Sequence, residues 1–377
     1  MKQFKSGHFV QQNRYKSFQP SLIKREWALD NMDLIQLLGQ ADRELGRLDM
    51  YSDYIPDINM FISMHVLKEA TQSSKIEGTH TNMEEALLEK EDVALDKRDD
   101  WEEVQNYIAA MDAAINNLQT LPFSSRLIRE THRTLMQSVR GKHKQPGEFR
   151  RSQNWIGGAS ITDAVFIPPV HTSIGELISD IEQFVHDDTQ HFPELLKIAL
   201  VHYQFETIHP FLDGNGRVGR LMITLYLVSK GVLKRPVLYL SDFFERNRTL
   251  YYDNLMRVRE KNDLLHWFKF FLVGVIETAK SGIATFDNIL KLQKQTEAQL
   301  LTLGSRTTNA QKVMRYLYQH PMINAAKVSK IAEVSPASAY KLIADLERFG
   351  ILKEITGSKR RKIYLFDIYL QLFNSRT

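Results

Sequence analysis

The chain has no cysteine, which excludes disulfides and thiolate metal sites and is compatible with a reducing cytoplasm. Its opening residues, M-K-Q-F-K-S-G-H-F-V-Q-Q-N-R, lack the apolar core of a secretory signal peptide. Apolar runs are short: the longest, near Leu221–Val228 and Phe270–Ile276, suit core helices and fall below membrane-spanning length. A cytoplasmic protein with no membrane partner is therefore expected. Strand-like, β-rich material is scarce before residue 350. The histidines outside residues 209–220 show no metal-ligand spacing.

What is present is mostly helical pattern. Apolar positions recur at helical spacing over Leu29–Leu48, Phe61–Glu77, Trp101–Leu118 and Ile174–Val185. At 377 residues the chain can form two or three domains, each with a substantial core. Charge is unevenly spread. From Ser305 onward there are 13 Lys and Arg against 5 Asp and Glu, a net of +8 where the whole chain carries +4, so residues 1–304 carry −4. A mildly acidic body joined to a basic tail predicts different partners for the two parts.

The densest chemistry lies in His209–Arg220, H-P-F-L-D-G-N-G-R-V-G-R. Gly214 and Gly216 let the backbone turn tightly and aim N–H groups at an anion where a helix begins. Arg217 and Arg220, three apart on one face of that helix, can fork onto phosphate oxygens. Asp213 can hold a divalent cation among those phosphates, and His209 is a potential general base. Residue types in this order point to a nucleoside-triphosphate site with its own base.

The segment resembles the signature loop of the Fic family, H-x-F-x-[DE]-G-N-G-R-x-x-R, at every position. The resemblance implies an adenylyltransferase that moves AMP from ATP to a Ser, Thr or Tyr hydroxyl of a protein. His209 would take the hydroxyl proton, Phe211 would anchor the loop, and Asp213 would bind Mg2+. Asn215 and the N–H groups around Gly214 and Gly216 would hold the α-phosphate, and Arg217 and Arg220 the outer phosphates. The fold implied is mainly α: a Fic helical core with a β-hairpin flap, an N-terminal helical region and a C-terminal winged helix-turn-helix. The expected divisions are 1–100, 101–285 for the core, 286–304 for a connecting helix, and 305–377.

Three further segments carry the resemblance. Residues 144–170 contain G-x-x-R-x-x-Q-x-x-I-G-G and a following P-P pair, which in the family form a flap whose edge pairs with the target's backbone. Val165, Phe166 and Ile167 would be that edge; a purely structural hairpin is the other reading. Tyr251 and Tyr252, in L-S-D-F-F-E-R-N-R-T-L-Y-Y-D-N-L, either line an adenine pocket or pack as aromatic core. Ser73-x-x-x-Glu77-Gly78 resembles the inhibitory motif [ST]-x-x-x-E-[GN], in which the glutamate pairs with the second signature arginine, here Arg220, in the place of the γ-phosphate.

The tail reads as helix, short helix, turn, helix and a hairpin with a basic tip, and resembles a winged helix. Tyr340 and Lys341 on the third helix, with Lys359, Arg360, Arg361 and Lys362 at the tip, would meet DNA. Asp345 and Glu347 on the same helix weigh against that, and such folds also dock on proteins. Two rival functions stand beside adenylylation. One is a Fic enzyme transferring phosphate or phosphocholine, although kinase-like members place a lysine where Gly216 stands. The other is a DNA-binding regulator whose core only senses nucleotide, for which a base such as His209 has no use. The target protein is unspecified, the chain itself being one candidate, and a homodimer is one candidate signal for releasing Glu77.

Overall fold

The periodic apolar segments fold as helices, and two of them are buried nearly all round. The computed structural model describes residues 4–54, 58–138, 141–189, 191–357 and 361–374. After a hairpin of strands β1 (Gly7–Gln11) and β2 (Lys16–Pro20) come helices α1 (Met32–Tyr54), α2 (Asn59–Ile76), α3 (Met83–Leu87), α4 (Arg98–Asn117) and α5 (Ser125–Leu135). Then follow α6 (Ile174–Val185), α7 (Glu194–Ile208), α8 (Asn215–Ser229), α9 (Ser241–Arg246), α10 (Arg248–Lys261) and α11 (Leu264–Leu301). The tail holds α12 (Thr307–Gln319), β3 (Met322–Asn324), α13 (Ala325–Ala332), α14 (Pro336–Arg348), β4 (Lys353–Glu354), β5 (Ile363–Leu365) and α15 (Asp367–Asn374). The class is mainly α, as expected.

Helices α7 and α8 form the centre. Every residue of α7 after Glu194 is buried, and so is most of α8, the mark of helices covered on all sides. Around them α1 lies along α11, α4 along α5, and α2 against α4 and α9. The short link between α7 and α8, residues 209–214, is thus held between two buried helices.

Strand before residue 350 is scarce, as expected, while two other expectations change. The short β1 pairs antiparallel with β2, Phe9 opposite Phe18, and Phe18 N–H reaches the Ile167 carbonyl at 2.9 Å. These five-residue strands are too short to show a clear alternation. The flap is no regular hairpin but a single antiparallel bridge, Ile156 to Phe166, because positive φ at Gly157 and Gly158 turns the chain away. Finally, α11 runs unbroken through residue 285, so the expected boundary between core and connector falls inside one helix.

In the tail, Ser335 caps α14 with Pro336 in its first turn and Gly350, at φ +70°, follows its end. β5 sits between β3 and β4. The buried apolar residues form one cluster from Phe4 to Phe373, so the tail shares the core of the body. No described helix is long and apolar enough to cross a membrane.

Candidate active site

His209 ends α7 in the left-handed region, φ 50° and ψ 61°, where a non-glycine residue is strained. The turn is held from outside. Arg150 donates from Nε to the His209 carbonyl at 3.0 Å and from its terminal nitrogens to the carbonyls of Ser152, Pro169 and Ile208. Asn154 adds bonds to the carbonyls of His209 and Phe211. Arg150 lies in the G-x-x-R-x-x-Q segment, so its position was visible in the sequence, but its task was not. Burial brings its guanidinium down to about 10.

Phe211 anchors the link: it is fully buried and stacks on His132 with centroids 3.7 Å apart and rings 5° from parallel. His132 accepts from Gly147 N–H at Nδ1, which leaves Nε2 to donate to the Asp213 carbonyl at 3.0 Å. Gly214, at φ +75°, precedes α8, and a side chain there would meet Met136 Sδ. The first three N–H groups of α8, on Asn215, Gly216 and Arg217, have no partner among the described residues. A buried helix thus presents its positive end to an anion.

Asn215 departs from expectation. Its side chain is buried and fully used, accepting from Phe211 N–H at 2.8 Å and donating to the Phe211 carbonyl at 2.9 Å. It closes the link, and only its backbone N–H faces the anion position. Tyr251 is likewise corrected. It is 1% exposed, stacks on Phe244 and hydrogen-bonds His202 Nε2 at 2.9 Å, which makes it core. Tyr252 is 38% exposed and remains available to a ligand.

Both arginines hold carboxylates. Arg220 donates to Glu77 Oε1 at 2.6 Å, to Ser73 Oγ at 2.9 Å and to the Ser73 carbonyl at 2.9 Å. Arg217 pairs with Glu103 of α4 at 3.0 Å, a partner that no sequence pattern suggested. A Cβ added to Gly216 would overlap Glu77 Oε1, so this carboxylate sits over the first turn of α8. Burial tends to raise Glu77, but the charge of Arg220 and its hydrogen bond win and hold it below the usual carboxylate range. The Glu77 side chain remains 35% exposed against 1% for Arg220, so solvent reaches the pair from the glutamate side.

Burial lowers His209 to about 4, opposed by the Glu77 charge and helped by Arg259 and Arg150. The ring is a neutral base at pH 7. Asp213 is exposed, with Oδ1 near its neighbour's N–H. No cluster of three metal-ligating side chains exists among the described residues. One carboxylate beside an anion cradle fits Mg2+, which takes one or two protein carboxylates and draws its other oxygens from phosphate and water.

Of the expected docking edge, only Val165 points outward, at 67% exposure. Phe166 is buried under the Arg259 guanidinium, 3.9 Å from ring centroid to Cζ, and Ile167 is buried with its carbonyl taken by Phe18. In the tail, Tyr340, Lys341, Arg361 and Lys362 are exposed, while Lys359 and Arg360 lie outside the described residues. Asp345 is bound by Arg306 at 2.6 Å and Arg348 at 3.1 Å.

Residues 35–116 match the Fic/DOC family N-terminal domain and residues 122–227 the Fic/DOC family domain. The protein adenylyltransferase Fic of Drosophila erecta is 30% identical over 173 residues, 44% of this chain and 31% of that protein. The chain therefore spans about a third of the length of such curated relatives. A Fic family protein from Desulfovibrio desulfuricans G20 superposes with a TM-score of 0.58 at 16% identity, over 90% of this chain and 98% of that one. A Fic domain containing signaling protein from Bacteroides thetaiotaomicron gives 0.53 at 19% identity, over 67% and 97%. These superpositions show a shared fold.

Proposed function

This chain carries the N-terminal and core domains of the Fic/DOC family, and on that premise we propose that it is a protein adenylyltransferase restrained by its own Glu77. The observation that carries the reading is the neighbourhood of His209: a neutral base beside an open helix N-terminus and two buried arginines. ATP would lay its α-phosphate on the free N–H groups of Asn215, Gly216 and Arg217. Its outer phosphates would meet Arg217 and Arg220, and Tyr252 would lie near the base.

The target oxygen bonds to the α-phosphorus while the bond to pyrophosphate breaks, and the hydroxyl proton passes to His209. Asp213 would hold Mg2+, which supplies charge neutralisation for the departing pyrophosphate. Positioning and fixed charge supply most of the rate in such transfers. Val165 and the backbone beside it offer the target an edge.

Glu77 occupies Arg220 and the space over Gly216, so bound phosphates and the Glu77 carboxylate compete for one place. Its solvent-facing side leaves it displaceable. A cytoplasmic location, magnesium dependence and self-modification belong to the same reading. A second reading concerns the tail: with Asp345 neutralised by Arg306 and Arg348, one of the two acids that weigh against DNA on α14 is spent, and Tyr340, Lys341, Arg361 and Lys362 are each exposed.

The test is transfer of label from α-labelled ATP with magnesium to protein, in wild type, Glu77→Gly and His209→Ala. Label should rise in Glu77→Gly by about 5–150-fold, the range of a single coupling contact. It should fall in His209→Ala by about 10²–10⁴-fold. No label in any of the three, with γ-labelled ATP positive, would replace adenylylation by phosphate transfer.

A further inference from the structure

Among the polar atoms buried without a partner beside the site are His209 Nδ1 and Glu206 Oε1. Glu206 stands one turn before His209 on α7, and its other oxygen, Oε2, is 3.9 Å from Nδ1. A buried donor and a buried carboxylate left unbonded are each costly, and these two face one another across a gap roughly 1 Å longer than a hydrogen bond. The carboxylate fits there because residue 219 is glycine: a Cβ on Gly219 of α8 would overlap Glu206 Oε1. His209 Nε2 has no partner either but is not among the buried unbonded atoms, so it is the ring's open edge.

We propose that Glu206 is a positioning residue for His209: its carboxylate takes the Nδ1–H and thereby leaves Nε2 free to act as the base. The role rests on the transfer reaction proposed above. As the target oxygen bonds to phosphorus and the pyrophosphate bond breaks, the hydroxyl proton moves to Nε2 and the ring becomes an imidazolium. Glu206 then faces that cation through Nδ1–H until Nε2 releases the proton to solvent. A base oriented by a third group is the general logic of activated nucleophiles.

Charged and titratable groups face the pair from every element packed on it. They are Glu77 at the end of α2, Arg220 on α8, Arg259, Tyr251 and Tyr252 on α10, and Arg150 before the bridge. Burial raises Glu206 to about 7, with Glu77 adding to the rise and Arg220 and Arg259 opposing it. A protonated Glu206 would donate to Nδ1 and place the ring proton on Nε2, the wrong nitrogen. Transfer should therefore decline as pH falls through about 7, well above the pH near 4 at which His209 itself takes a proton. The Glu206 carbonyl, which accepts from Arg259 Nη2 at 3.1 Å, keeps a second lone pair and also faces the ring, so it competes with the carboxylate for Nδ1–H.

Two measurements on the full chain test this. The first is nitrogen NMR of the histidine rings, with the His209 signals identified by their loss in His209→Ala. In wild type at pH 8 the proton should sit on Nδ1, and Glu206→Gln should mix the tautomers and lower the ring's pKa. The second is label transfer in the Glu77→Gly background. Adding Glu206→Gln should lower kcat about 10–100-fold, leave KM for ATP within about twofold, and abolish the decline near pH 7. Glu206→Asp should restore part of the rate.

Unchanged His209 signals together with an unchanged kcat and pH profile in Glu206→Gln would overturn the assignment. If Glu77→Gly transfers no label while the NMR shift is present, the transfer reading fails and the Glu206–His209 contact stands.

Discussion

His209 owes its place to Arg150. A left-handed backbone at a non-glycine residue costs on the order of 1–3 kcal/mol, and the carbonyls of Ile208 and His209 are turned away from helix partners. Arg150 collects those carbonyls with those of Ser152 and Pro169, using the fork of a guanidinium and no carboxylate. Arg150→Lys keeps the charge but cannot span four carbonyls. It should lose about 2–4 kcal/mol in urea unfolding, the sum of a few charge-assisted bonds, and transfer should fall at least about tenfold as His209 moves. A lysine variant as stable and active as wild type would show that the turn holds itself. At this scale the sequence showed which residues carry chemistry, His209, Asp213, Arg217 and Arg220, because their types are chemically unusual in that order. It did not show which are spent on structure. Asn215 and Tyr251 look like ligand residues, yet both side chains are consumed, Tyr251 by a neighbour distant in sequence and Asn215 by the local turn.

At the scale of elements, the decisive arrangement is a buried helix end facing the end of another helix. α8 starts with three free N–H groups, and α2 ends with Glu77 aimed at them. Both helices were readable from periodicity and from the glycines beside them, Gly214 and Gly78, each at positive φ. Their mutual approach was readable only through family resemblance, since residues 77 and 220 are far apart in the chain. The β1–β2 hairpin and the reduced flap were not readable, because strands this short depend on tertiary neighbours. Packing between α7 and α8 gives a further expectation at Gly219. Glycine to alanine inside a helix ordinarily stabilises by about 1 kcal/mol. Here the new Cβ would overlap Glu206 Oε1 and crowd the Phe205 ring at 3.2 Å, and overpacking costs about 1–3 kcal/mol. Gly219→Ala should thus be neutral to destabilising in thermal unfolding, and should reproduce the loss of rate expected of Glu206→Gln. A stabilised, fully active variant would mean that Glu206 moves away without consequence.

The whole molecule holds several neutral imidazoles, and this fixes the direction of its acid response. Burial lowers His65 and His202 to about 3 and His132 and His209 to about 4. Below the ordinary value near 6.5 the unfolded chain takes protons that the folded chain refuses, so stability falls as pH falls from 6.5 towards 4. Glu206 acts oppositely: raised to about 7, it holds a proton between pH 4.5 and 7 that the unfolded chain lacks, and so offsets one histidine. Glu69, Asp42, Asp112 and Asp180, which burial also raises, act in the same direction as Glu206, so the slope is at most about 1.4 kcal/mol per pH unit for each histidine left uncompensated. Urea unfolding at pH 7.5, 6.0 and 5.0 would measure it, and a flat response would mean that these rings are solvated in the folded chain.

The same scale joins the tail to the Glu77–Arg220 pair. Phe61 in the first turns of α2 packs on Tyr318 of α12 and Tyr369 of α15, at centroid distances of 5.6 and 6.5 Å, and His65 lies between Phe286 of α11 and Phe373 of α15. Three turns on, the same helix presents Ser73 and Glu77 to Arg220. An unbroken helix carries displacement along its axis, here over about 24 Å between Phe61 and Glu77 at 1.5 Å per residue. A ligand on the tail would therefore meet α2 at the end opposite the active site. Phe61→Leu should loosen that end at a cost of about 1–2 kcal/mol, small enough to leave the chain folded. Basal label transfer should then rise several-fold, within the range of coupling between two sites. In the Glu77→Gly background the same substitution should add nothing, because the contact it acts through is already gone. Equal rises in both backgrounds would place the effect of Phe61 outside the Glu77–Arg220 pair, and the tail would then reach the active site by another route.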